Sequence, residues 1–317
     1  MRVKRLAILA CVAAGLAAVQ DAVAYPWPLK PFREPHPIRG NFGDPRTVFR
    51  YGVDDGGLDG PGFFGFHFGV DISAEPGTPV YPVASGTVSA LRGFKVGVHS
   101  SGGRAFEYVH ITPAVAPGMY VMQGKTVLGY VLEAAGHLHF TELQRHRPVN
   151  PLAPGHLLPY VDRTRPAIRA IEFREGRRPL EPPVVKGGVA VVADAYDMPA
   201  LPVPGPWHDL PVAPALVYWS VQDDAGRTVV PTRTAADFRG ALPPNSRFWD
   251  VYARGTYQNM PAIGPTYYAG MPGRYEFLLT RDLLRVRALS PGAYVLTVTA
   301  VDMRGNRAFA AARFIVA

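Results

Sequence analysis

Two short stretches of this chain hold residues whose types and spacing could do chemistry. They are His67-Phe68-Gly69-Val70-Asp71 and, well downstream, His137-Leu138-His139. Imidazoles two residues apart point to the same side of a strand. A His and an Asp four apart can share a side on either a strand or a helix. Two histidines and one carboxylate make a three-ligand set suited to zinc, with one coordination position left for water. One histidine then remains beside the metal. An imidazole titrates near neutral pH, so it can take a proton and return it. Together these are the parts of a metal-dependent hydrolase.

The neighbouring sequence sharpens that reading. The first segment is Gly65-Phe66-His67-Phe68-Gly69-Val70-Asp71-Ile72, followed by Gly77-Thr78-Pro79-Val80 and Gly86-Thr87-Val88. Then come Glu107-Tyr108-Val109-His110-Ile111, the run Val121-Met122-Gln123-Gly124-Lys125-Thr126-Val127-Leu128-Gly129, and Gly136-His137-Leu138-His139-Phe140. In this order the motifs resemble the lysostaphin-type zinc endopeptidases, over roughly residues 38 to 155. The resemblance implies that His67, Asp71 and His139 are zinc ligands and that His110 and His137 are non-ligand catalytic histidines. It further implies Zn2+ as the cofactor and the peptide part of bacterial peptidoglycan as the substrate. All five positions are filled, which speaks for an enzyme. Two rival classes are a non-hydrolytic wall-binding protein or activator of other wall hydrolases, and a zinc protease of glycine-rich proteins.

The chain departs from the family at two places. The stretch between Gly129 and His137 is short and lacks the usual Gly-Ser-Thr-Gly-Pro lead-in. Thr141 stands where a Glu commonly follows, with Glu142 one step later. Both departures bear on substrate preference more than on chemistry. The sequence does not choose between His110 and His137 as general base. Asn41-Phe42-Gly43-Asp44 reads as a turn, with Asn41 as an alternative latency ligand for the metal.

The elements that must position these residues read as all-β. Residues 63–158 alternate apolar and polar positions in short runs broken by Gly or Pro, such as Thr87 to Leu91, Lys95 to His99 and Ala105 to Ile111. The resemblance supplies the specific fold, a small twisted antiparallel sheet of the duplicated-hybrid-motif type with the metal in an open groove. Residues 25–62 are a Pro/Gly-rich, irregular lead-in. Residues 159–166 form a polar linker, expected to leave the two flanking domains separable. Residues 167–317 hold six strand candidates, from Ala167 to Phe173 through Ala308 to Val316, and are expected to fold as a β-sandwich. Val298-Thr299-Ala300-Val301-Asp302 followed by Gly305-Asn306 resembles the final hairpin of bacterial immunoglobulin-like modules.

Composition fits export. Residues 1–24 read as a signal peptide, with Arg2, Lys4 and Arg5, an apolar stretch from Leu6 to Val19, and Ala22-Val23-Ala24 before the cleavage point. The chain is therefore expected in the periplasm or outside the cell, with no membrane span once cleaved. The single cysteine, Cys11, falls in that signal, so the zinc site must be built from His and Asp rather than thiolate. The net charge is +8; the signal's three basic residues and Asp21 account for +2 of it, leaving +6. A moderately basic surface suits anionic wall polymers. No dense Lys/Arg run marks a nucleic-acid partner. A wall polymer or a regulatory protein is the expected partner of the C-terminal half.

Overall fold

The computed structural model describes residues 24–50, 60–176, 178–280, 284–285 and 289–317. Residues 1–23, with most of the expected signal and Cys11, lie outside the described residues, as does Asp54-Asp55-Gly56-Gly57. Among the described residues no helix is long and apolar enough to cross a membrane.

Period-two alternation dictates the main sheet. In Arg104–Val109, Phe106 and Tyr108 are fully buried while the residues between them are not. In His137–Gln144, Leu138 and Phe140 occupy the core face, and His137, His139 and Thr141 the other. A slip of one residue would exchange the two sets, so burial fixes the register. The sheet has eight antiparallel strands. Its order is Ile38–Gly40, Val70–Ser73, His137–Gln144, Arg104–Val109, Lys95–Ser100, Gly86–Arg92 and Tyr120–Val121, with Arg147–Val149 pairing on His137–Gln144. Pro79–Val80, Gly129–Val131 and Ile111–Pro113 make a three-stranded sheet.

The lead-in is more structured than its composition implies. Tyr25, Trp27, Leu29 and Phe42 are buried in the same core. Tyr25 stacks edge-on against Phe106 at 5.2 Å. Its hydroxyl donates to the buried Glu142, which also meets His156 Nδ1 at 2.6 Å. Burying such side chains stabilises by about 1.5–3 kcal/mol each, which holds a proline-rich segment in place. Ile38–Gly40 and Pro45–Phe49 are short strands within it that bury every second residue.

The C-terminal half is a β-sandwich of two five-stranded sheets. Phe173, from one sheet, meets Phe314, from the other, at 4.9 Å. The expected strands are found, Gly273 to Thr280 being reduced to Glu276–Leu278. Thr228–Asp237 is an added edge strand. It is mostly exposed and contains Pro231, which an edge tolerates and which hides the strand signal.

The segment 159–166, expected as a polar linker, is tied to the C-terminal half. Asp162 within it is buried, and its backbone and that of Tyr160 accept from Asn306 Nδ2 and Arg304 Nε. Strand pairing also crosses between the halves. Ala262–Ile263 pairs in parallel with Pro45–Phe49, so one four-stranded sheet draws on both. Phe66 packs against Phe238, Phe248 and Tyr252. The buried apolar residues of the two halves form one continuous core.

Candidate metal centre

Strand register brings the ionisable residues together. His139 lies opposite Asp71, and His137 opposite Ser73, across the pair Val70–Ser73 and His137–Gln144. On its other side His139 pairs with Val109. His110 follows at that strand end with a left-handed φ of 67°, uncommon for a residue with a Cβ. Its ring sits 4.5 Å from that of His137. Gly69 is required by close approach, because a Cβ there would lie 2.4 Å from the Phe140 carbonyl oxygen and 2.9 Å from His139 Nε2.

His67 Nε2, His139 Nδ1 and Asp71 Oδ1 form a triangle with edges of 2.8, 3.0 and 3.1 Å. Tetrahedral zinc with bonds of about 2.0–2.2 Å needs ligand edges of about 3.3–3.6 Å, so the atoms need part by only roughly half an ångström. The outer partner of His67 settles its proton. His67 Nδ1 faces the Asn41 carbonyl oxygen at 2.8 Å, which can only accept, so Nδ1 carries the proton and Nε2 is bare. His139 Nε2 lies 2.9 Å from Thr141 Oγ1. With the proton on that side, Nδ1 is bare as well. Two lone pairs and a carboxylate oxygen then converge with no hydrogen between them, which a bound cation resolves. Arg46 Nη2 holds Asp71 Oδ2 at 2.7 Å, leaving Oδ1 for the triangle.

The charge states suit metal ligation, which needs neutral imidazole and ionised carboxylate. Burial, then Arg46, pushes His67 down to about 3. Burial alone would raise Asp71, but His67, His137 and Arg46 outweigh it and hold the carboxyl well below the usual range. Burial and then His137 push His110 down to about 4. His137 Nδ1 has two rival contacts, the Ala135 carbonyl oxygen at 2.8 Å and Arg39 Nη2 at 2.6 Å. The first needs a proton on Nδ1 and the second a bare nitrogen, so Nδ1 serves one of them at a time.

All five residues singled out in the sequence, His67, Asp71, His110, His137 and His139, line one cavity of about 380 Å³. Its other walls come from far along the chain, including Trp207, Asn245, Gln258 and Tyr275. The Asn41 side chain does not face the triangle; it donates to the Ala213 carbonyl oxygen at 3.1 Å. His99, in its alternating run, is exposed and lines a different groove. Arg39, Arg46 and Trp207 are additions that no motif announced.

Residues 65–151 match the model of Peptidase family M23, so the chain carries a domain of the lysostaphin-type peptidases that its motifs resemble. It is 35% identical over 102 residues to the uncharacterized protein Rv3786c of Mycobacterium tuberculosis and, equally, to Mb3815c of Mycobacterium bovis. The match covers 29% of this chain and 25% of each relative, so the chain spans about a quarter of the curated relatives it matches. Among solved structures, a zinc containing peptidase from Vibrio cholerae is 24% identical, with 40% of this chain and 39% of that one covered and a TM-score of 0.30. The deep-sea M23 metalloprotease pseudoalterin is 18% identical, covering 43% of this chain and 78% of that one, with a TM-score of 0.28.

Proposed function

We propose that this chain is an exported zinc endopeptidase that hydrolyses peptide bonds of bacterial peptidoglycan. The observation that carries the reading is the close triangle of His67 Nε2, His139 Nδ1 and Asp71 Oδ1, with two further imidazoles beside it. Those three residues hold the metal. When bound, zinc supplies Lewis acidity, making water a nucleophile near neutral pH and polarising a carbonyl. His110 and His137 move the protons. When Nδ1 of His137 donates to Ala135, its Nε2 is a bare acceptor 3.5 Å from Asp71 Oδ1, at the edge of the triangle. His110 is kept neutral by burial and can take up a proton in its turn. Arg46 orients the Asp71 carboxylate. Residues of the C-terminal half form part of the cleft wall, which supports a role for that half in holding substrate as well as bracing the fold.

The test is turnover of purified sacculi by the full mature chain, read as release of free amines. Zinc-loaded protein should cut and chelator-stripped protein should not, with activity returning on zinc addition. His110→Ala and His137→Ala should keep their zinc and lose about 100- to 10,000-fold in rate. No amine release by the zinc-loaded protein would remove the peptidase reading in favour of a wall-binding or activator role.

A further inference from the structure

Arg39 is a cation without an anion. It is the extra residue of a β-bulge: Ile38 pairs with Ile72 and Gly40 with Asp71, leaving Arg39 unpaired between them. A bulge of this kind re-aims a side chain, and this one turns the guanidinium into the metal-site cavity. Among the described residues no carboxylate comes within ion-pair distance of it. Its Nε is buried and has no hydrogen-bond partner. Its one polar contact, to His137 Nδ1, is expendable because Ala135 offers that nitrogen an alternative. Burial pushes the guanidinium down to about 10, and the charge of Asp71, which does not contact it, offsets only part of that.

The rest of the cavity does not supply the missing anion. Asp71 is taken by Arg46 and by the histidines. Asp44 accepts from the backbone of Asn41 and Ala213. The charged lining is therefore two arginines against two aspartates, and a bound divalent metal leaves the cavity positive. The ring of Trp207 lies 4.1 Å from the Arg39 guanidinium carbon and packs against it. Trp207 sits in a C-terminal loop whose base is tied to the lead-in. Ala213 N donates to Asp44 Oδ1 at 2.7 Å, and Ala213 O accepts from Asn41 Nδ2. A planar, oriented guanidinium is the partner of choice for a carboxylate.

We propose that Arg39, packed against Trp207, is a carboxylate-binding subsite, and that the peptide this enzyme cuts carries a free carboxylate next to the scissile bond. This rests on the peptidase reading of the cavity. The carboxylate is either the C-terminal one of the substrate or one on a side chain.

The test is calorimetric titration of the zinc-loaded full chain with three short probes. They are acetyl-Ala-Ala, its C-terminal amide, and acetyl-Ala-Glu amide, whose only free carboxylate is on the side chain. The free acid should bind on the order of tenfold to a hundredfold more tightly than the amide, the range of a charge-assisted hydrogen bond. A gain seen only with the glutamyl probe identifies a side-chain carboxylate. Arg39→Gln should erase the preference with zinc content unchanged, which separates the arginine from direct binding to the metal. Arg39→Lys should restore part of it, and Trp207→Leu should weaken it. Equal binding of the three probes to the wild-type chain overturns the proposal without any variant. So does a preference that survives in Arg39→Gln. The titration needs no turnover, so failure of the peptidase reading on sacculi is registered separately.

Discussion

Among the described residues two trios of ionisable side chains draw close together, and they differ in where their lone pairs point. In each trio, His67/Asp71/His139 and Asp162/Asp197/Asp302, ligand-type atoms lie within 4.8 Å of one another. In the first, hydrogen-bond partners occupy the outer atoms and the inner ones face each other. In the second, each carboxylate turns back on its own stretch of chain. Asp162 accepts from Thr164 N at 2.9 Å, Asp197 from Met198 N at 2.8 Å, and Asp302 from Arg304 N at 2.7 Å and Asn306 N at 2.9 Å. One trio is arranged around a point in space, the other around three turns. Closeness alone does not make a site; the direction of the unshared electron pairs does.

The sharpest way to break this comparison is to remove one member of each trio. His139→Ala should take the zinc content from one per chain to near zero by elemental analysis. Asp302→Asn should leave it at one. Full occupancy in His139→Ala would sink the ligand assignment, and zinc loss in Asp302→Asn would make the acidic trio the metal site. The outer partners come next in size. Thr141→Val removes the acceptor at His139 Nε2, and loss of such an outer contact weakens metal affinity by about 10- to 100-fold. Competition with a chromogenic chelator measures it. An unchanged affinity would mean that the Thr141 hydroxyl does not fix the His139 tautomer.

The members of the candidate metal trio were legible in the sequence as residue types at motif spacings. The spacing of two puts His137 and His139 on one face of a strand, with Asp71 opposite His139, while His67 lies in the segment between two strands and it and His110 are supplied by the family's motif. Thr141 was visible only as a departure, and the structure gives it a partner. Arg39 was not legible, since a bulge is a mismatch between two strands and leaves no periodic trace in either. Nor was Trp207, whose place depends on Ala213 being held by Asn41 and Asp44. In the sandwich, strands with an apolar face declared themselves, while the exposed Thr228–Asp237 did not. The union of the halves was hidden for the same reason. Val48 opposite Ala262 is a long-range parallel pairing of very short segments, and the composition of 159–166 says nothing of Asp162 being buried.

The acidic trio makes the smallest prediction, with a sign that can be worked out. Burial and then Asp162, with Asp302 adding, push Asp197 up to about 8, against about 3.9 for an aspartate in an unfolded chain. Between those two values the folded state holds a proton that the unfolded state has released. The stability carried by that proton is complete below about pH 4 and is lost as pH rises toward 8. Asn at this position stays neutral at every pH and keeps an oxygen for the Met198 N–H. Asp197→Asn should therefore be more stable than wild type at pH 8, by about 1–3 kcal/mol, the scale of a buried polar group left uncompensated. The gap should close near pH 4. Denaturant unfolding of both proteins at pH 4, 6 and 8 reads this as a difference, so titrations common to the two cancel, those of the metal-site histidines included. A variant less stable at pH 8, or a gap that does not change with pH, would show that the three carboxylates do not repel. The contrast with the histidine trio would then lose its electrostatic half and stand on hydrogen-bond direction alone.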